Sequence, residues 1–208
     1  MLPVKTVLRR LFPSPQKKIH MTQKHYITAE ALLEDSYQLG AKILESDFRP
    51  DFIVGIWRGG APVGIAVQEM LQYFDVAADH ISVRTSLYTG ISTTDRVVRV
   101  HGLDYLVNNL NAENALLIVD DVYDSGRSIK ACIEQLTKRT RRNTPEQIKV
   151  AAPWYKPNNN ETDRVPDYYV HTTDQWLVFP HEVQGLTDEE LKEGKGRLFD
   201  IIKSVNIR

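Results

Sequence analysis

The stretch Leu116-Leu117-Ile118-Val119-Asp120-Asp121-Val122-Tyr123-Asp124-Ser125-Gly126-Arg127-Ser128 holds most of the groups in this chain that could do chemistry. Four apolar residues of strand type run into two adjacent carboxylates, Asp120 and Asp121. The carboxyl ends of such strands are where open α/β sheets bind ligands. Ser125-Gly126-Arg127-Ser128 then makes a tight turn into a helical stripe. Backbone N–H groups of such a turn, the positive end of the helix and two hydroxyls form a phosphate cradle. Three acids crowding one phosphate would repel it unless they face other partners. Sugar hydroxyls and a divalent cation are the natural ones.

Other side chains are less specific when taken singly. Arg58-Gly59-Gly60 reads as a turn whose glycines favour close approach of a ligand. Lys156 alone reads as a solvated lysine, and Trp176, in a short apolar strand, as core. The histidines show no metal-ligand spacing, and His171 and His181 read as edge residues.

The elements that must position these groups follow from periodicity. Thr28 caps a helix over 29–46 with apolar residues at helical spacing. Residues 52–56 are an all-apolar strand of the kind buried on both faces of a parallel sheet. A second helix follows Gly60, with Val63, Val67, Met70, Leu71 and Phe74 on one face. Ile81–Arg84 is a strand, and 85–101 is a polar excursion, either a functional loop or a hairpin. After the strand at 116–119, Ile129, Cys132, Ile133 and Leu136 form the core stripe of a helix. Residues 148–152, 168–170 and 176–179 are further strands, and 156–160 is a loop. Thr187 to Glu190 is a capping box, stapled by Leu186 and Leu191. Strands alternating with helices predict an α/β fold with a mainly parallel, twisted sheet flanked by helices.

The string from Leu117 to Ser128 resembles the phosphoribosyl-pyrophosphate (PRPP) signature of type I phosphoribosyltransferases, in which two acids precede Val/Leu-x-Asp-Thr-Gly-x-Thr. Serines replace both threonines here and keep the hydroxyl. Tyr26-Ile27-Thr28, Gly55 to Gly60, Trp154-Tyr155-Lys156-Pro157, Asp167 to Val170 and Trp176 to Glu182 resemble the 6-oxopurine branch, the bacterial xanthine–guanine and hypoxanthine phosphoribosyltransferases. The resemblance runs from about Tyr26 to Glu182. It implies a transferase domain over 21–185 with a small hood from about 21–30 and 153–182. Residues 1–20 would be a dispensable basic extension and 186–208 a helical tail.

The resemblance also implies roles. Asp120 and Asp121 would hold the ribose hydroxyls directly or through Mg2+, and Ser125, Gly126, Arg127 and Ser128 the 5′-phosphate. Asp124 would handle the proton at purine N7. Arg58 and Gly59 would form the pyrophosphate loop, with a cis peptide expected between Trp57 and Arg58. Lys156 would donate to the purine 6-oxo group, Trp176 would stack on the base and the backbone of Leu177 would read its edge. Glu182 aligns with an acid near a second metal, longer by one methylene than the usual Asp. Ser86 and Tyr88, separated by Leu87, replace an adjacent Ser-Tyr pair at the start of a lid loop. The implied reaction is phosphoribosyl transfer from PRPP to N9 of a 6-oxopurine, in purine salvage, by a cytoplasmic homo-oligomer, dimer or tetramer. A regulatory protein of the same fold, binding PRPP or a nucleotide with little turnover, is the alternative.

Composition sets outer bounds. The 208 residues are 42% hydrophobic and 25% charged, enough for a sizeable core and incompatible with a disordered or fibrous chain. No run approaches the roughly 18 apolar residues of a membrane span. A single cysteine, Cys132, excludes an internal disulfide and a cysteine-rich zinc site. A net charge of −1 argues against a nucleic-acid partner. Charge is uneven, because Lys5, Arg9, Arg10, Lys17, Lys18 and Lys24 all precede the first acid, Glu30.

Overall fold

The computed structural model describes residues 24–89 and 96–205. The expected extension 1–20 and the tip of the 85–101 excursion lie outside the described residues. The main sheet uses strands β2 (Phe52–Trp57), β3 (Asp79–Thr89), β4 (Arg96–His101), β5 (Ala115–Val119), β6 (Val122–Tyr123), β7 (Gln147–Tyr155) and β8 (Tyr168–Thr172). Its order is β4-β3-β2-β5-β7-β6, with β8 on the other edge of β7, and all pairings are parallel except β3 with β4. Helices α1 (Ala29–Leu44) and α2 (Gly60–Tyr73) cover one face, and α3 (Asp104–Asn109) and α4 (Arg127–Thr140) the other.

The apolar run of β5 shows why this sheet must be covered twice. Leu117 and Val119 join the core beneath α1 and α2, whereas Leu116 and Ile118 join the core beneath α3 and α4. Alternate residues of a strand face opposite sides, so a continuous apolar run is stable only between two helical layers. The helical stripe Ile129, Cys132 and Leu136 fills the second core, and burial pushes the Cys132 thiol up to about 12. Thr28 caps α1 by accepting from the Ala31 N–H at 3.1 Å.

A second, two-stranded parallel sheet stands apart as a hood, pairing β1 (Lys24–Tyr26) with β9 (Trp176–Val178). The capping box at Thr187 and Glu190 is present and opens α5 (Asp188–Ser204). That helix breaks at Lys195 (φ −138°, ψ 21°). Its second segment doubles back, since Lys203 pairs with Asp188 and no straight helix allows that over four turns.

Three expectations change. The strand expected at 81–84 runs instead from Asp79 to Thr89 and pairs antiparallel with β4, which is the hairpin alternative for 85–101. Helix α3 was not foreseen: only six residues long, it shows too little periodicity, yet Leu106 is fully buried. Phe74 is exposed, stacked edge-on against Tyr73 at the end of α2, and does not join the core face.

Candidate active site

Parallel strands β2, β5 and β7 end side by side, so the loops after each converge. Asp120 and Asp121 leave the end of β5, with the Asp121 N–H donating to Asp120 Oδ1 at 3.0 Å. Burial, and then the neighbouring Asp121 carboxylate, push Asp120 well above the usual carboxylate range. The next loop, Arg58-Gly59-Gly60, follows β2 after a cis bond between Trp57 and Arg58, as expected. Its glycines are also demanded by packing. A Cβ on Gly59 would lie 1.8 Å from Asp121 Oδ2, and one on Gly60 would lie 2.4 Å from the Val119 carbonyl. They admit the β5 end, and Arg58 is left exposed at its side.

The phosphate turn is built on Gly126, whose φ of +73° is the left-handed conformation that favours glycine. Above it, the loop after β7 closes the turn. The Glu161 N–H donates to the Ser125 carbonyl at 3.1 Å, Glu161 pairs with Arg127, and Thr162 meets Tyr123 Oη at 3.0 Å. Ser128 faces Thr85 of β3 at 3.5 Å. Ser86, on the opposite face of that strand, meets His101 at 3.3 Å; the Tyr88 side chain lies outside the described residues.

Two clefts meet at Asp124. One, of about 540 Å³, is lined by Asp124, Ser125, Arg127 and Ser128 with Val98 of β4. The other, of about 390 Å³, runs under the hood between Asp121, Asp124, Lys156, Trp176 and Leu177. Asp124 is held between two donors, Asn159 Nδ2 at 2.8 Å and the buried Lys156 Nζ at 3.6 Å. Trp176 is 59% exposed on the cleft wall, which overturns its reading by type as core; Leu177 beside it is buried and also lines the cleft. Glu182 also lines this cleft, but its Oε2 accepts the Phe179 N–H at 3.1 Å and closes the turn after β9.

Sequence reasoning did not single out Asn159, which lies in an Asn-rich loop whose only signal was turn propensity. His181 reads from sequence as an edge residue. The structure stacks His181 on Phe179 and brings its Nε2 within 3.4 Å of Asp121 Oδ2. His171 pairs with Asp35 at 2.7 Å, away from both clefts. Among the described residues no group of three His, Cys, Asp or Glu side chains is arranged to hold a metal, and no helix is long and apolar enough to cross a membrane.

A phosphate turn at a helix N-terminus, two strand-end acids and a hood over an adjoining cleft suit a phosphorylated ligand held beside a second bound group. The phosphoribosyl transferase domain family matches residues 22–186, and the chain belongs to that family. Over 150 residues it is 26% identical to the hypoxanthine-guanine phosphoribosyltransferase of Lactococcus lactis, covering 70% of this chain and 74% of that one. A purine phosphoribosyltransferase from Pyrococcus horikoshii has a similar structure (TM-score 0.64, 28% identity), covering 79% of this chain and 97% of that one. The xanthine-guanine-hypoxanthine phosphoribosyltransferase of Helicobacter pylori shares the fold at 18% identity (TM-score 0.60), covering 77% of this chain and 95% of the other. These relatives belong to the purine branch that the sequence resembles.

Proposed function

We propose that the chain transfers the 5-phosphoribosyl group of PRPP to N9 of hypoxanthine, guanine or xanthine, forming the nucleoside 5′-monophosphate and pyrophosphate in purine salvage. The observation that carries this reading is the position of Asp124 at the junction of the phosphate cleft and the hood cleft, between Lys156 and Asn159. In that place one carboxylate can reach a base bound against Trp176 while the turn at Ser125–Ser128 holds the sugar phosphate.

The division of labour follows from donor chemistry. Lys156 has donors and no acceptor, so it pairs with a 6-oxo group and leaves a 6-amino group unmatched. Trp176 offers a stacking face to any purine. Departure of pyrophosphate builds oxocarbenium character on the sugar, so the site must hold the leaving anion and exclude water. We assign Arg58 to the leaving group, and the β3–β4 hairpin, whose Thr85 reaches Ser128, to the arm over the phosphate turn. Asp124 takes or anchors the proton at N7.

Asp120 and Asp121 suit Mg2+: both are hard oxygen donors, and beyond burial, the main cause that raises Asp120, the added repulsion from Asp121 is what a divalent cation would relieve. When bound there, the ion would neutralise charge on PRPP. The buried Cys132 thiol suits a reducing compartment such as the cytoplasm. Exposed Tyr37, Tyr73 and Phe74, which line one shallow groove with Met70, are apolar groups that a second copy of the chain would cover in a homo-oligomer.

The test is pyrophosphate release from Mg·PRPP with and without each purine. Release only when a 6-oxopurine is present is the expected result. Tight PRPP binding without base-dependent release would replace the transferase reading with that of a nucleotide-binding regulator.

A further inference from the structure

The family match ends at residue 186, yet the helical pair of α5 beyond it grips the hood at three points. Glu190 accepts from Lys24 of β1 at 2.6 Å. Gly194 lies flat on the Tyr26 ring, so closely that a Cβ there would sit 2.1 Å from Cε1. Lys195, at the break between the two segments, donates to the carbonyls of Phe179 and, at 3.2 Å, Pro180. Those carbonyls belong to the turn that follows β9, the strand carrying Trp176 and Leu177.

We propose that Lys195 is a positioning residue for the base site, clamping the Phe179–Glu182 turn and through it the strand that stacks on and reads the purine. The turn is a small closed unit. Phe179 N–H donates to Glu182 Oε2 at 3.1 Å, and Glu182 N–H returns to the Phe179 carbonyl at 3.0 Å. The Lys195 ammonium satisfies the remaining capacity of that same carbonyl and faces the Glu182 carboxylate, which favours its charge. One residue of the turn, His181, reaches Asp121, so the turn also connects the hood to the sugar side. Burial holds the Lys195 amine below its usual value, as expected for a side chain spent on internal carbonyls and not on solvent. Lys195 is not itself among the residues that line the purine cleft; it acts through the Phe179 and Pro180 carbonyls of the turn that ends β9.

The proposal rests on the purine reading above, and its test separates the two. Lys195→Met keeps the stem and removes the donors, and Lys195→Arg keeps donors. Hydrogen exchange of full-length protein should show faster exchange of the Phe179 and Glu182 amides in K195M, with residues 116–128 unchanged and K195R near wild type. The kinetic expectation is a roughly tenfold higher KM for the purine, with KM for PRPP changed less than about twofold, the size expected for losing a charged hydrogen bond. Gly194→Ala, which wedges the pair off Tyr26 without touching Lys195, should give the same split if K195M does not accumulate as folded protein. Unchanged exchange at Phe179 and Glu182, or equal rises in both KM values, would overturn the Lys195 proposal alone. A wild type inert toward every purine would overturn the reading beneath it, with the exchange result still deciding the clamp.

Discussion

Replacing Gly126 by alanine tests the phosphate turn at its narrowest point. The backbone there has φ +73°, a conformation that costs an L-residue about 1–2 kcal/mol. The new Cβ would also meet Tyr123 Oη at 2.6 Å, Thr162 Oγ1 at 2.8 Å and Tyr123 Cε1 at 2.9 Å. Tyr123 cannot swing away, because it is buried edge-on against Tyr155, and Thr162 is itself tied to Asn160 Oδ1 at 2.9 Å. The contact that gives is the one between Tyr123 and Thr162, a hydrogen bond worth about 1 kcal/mol. The sum is about 2–3 kcal/mol, or about 4–12 °C in Tm for a chain of this size. Because Thr162 sits on the loop that closes over Ser125, KM for PRPP should rise as well. Thermal unfolding and a PRPP titration of pyrophosphate release are the assays. A Gly126→Ala protein that melts with wild type and keeps its KM for PRPP would refute the reasoning that this glycine holds the turn.

Other perturbations have equally definite outcomes. Asp120→Asn with Asp121→Asn should severely weaken PRPP use while leaving Tm unchanged or higher, since burial and the neighbouring carboxylate already penalise ionised Asp120; calorimetric PRPP binding and thermal unfolding decide it, and full activity would refute the assignment. Asn159→Ala frees one oxygen of Asp124 and should lower kcat about tenfold or more with PRPP binding intact, as misplacement of a catalytic group does; steady-state kinetics would show an unchanged kcat if Asn159 were a bystander. Burial holds His80 below its ordinary value of 6.5, against the opposing pull of Asp79. As pH falls below 6.5 the unfolded chain therefore takes up a proton that the folded one resists, and stability present above 6.5 is lost toward the lowered folded value. His80→Gln should flatten that acid-side slope in unfolding curves between pH 7.5 and 5.

The parts of this molecule that sequence made legible are those whose causes are local. The apolar run of β5, the Thr28 cap and the capping box at Thr187 each depend on residues within one turn or one strand. The string from Asp120 to Ser128 was equally readable, because strand end, turn and helix start are consecutive. What stayed hidden depends on distant partners. By residue type Trp176 reads as core, and only the family resemblance assigned it to the base; β9 leaves the main sheet to pair with β1, and Trp176 lines the cleft. Gly59 and Gly60 carry a packing role that their type does not announce, since a Cβ on either would meet Asp121 or Val119 from a neighbouring strand. Asn159 and Lys195 carry no type-specific signal; only the fold brings one to Asp124 and the other to Phe179.

The central claim is that the hood cleft selects a 6-oxopurine through Lys156. Its most direct test is a competition at fixed Mg·PRPP between adenine and an equimolar mixture of hypoxanthine, guanine and xanthine, with the nucleotides separated and quantified. The account predicts the monophosphates of one or more 6-oxopurines and negligible AMP, because a site built to pair a carbonyl can reject an analogue that leaves its donor unmatched by as much as ~10⁴-fold. AMP formed at a comparable rate would contradict the Lys156 assignment and the choice of base with it.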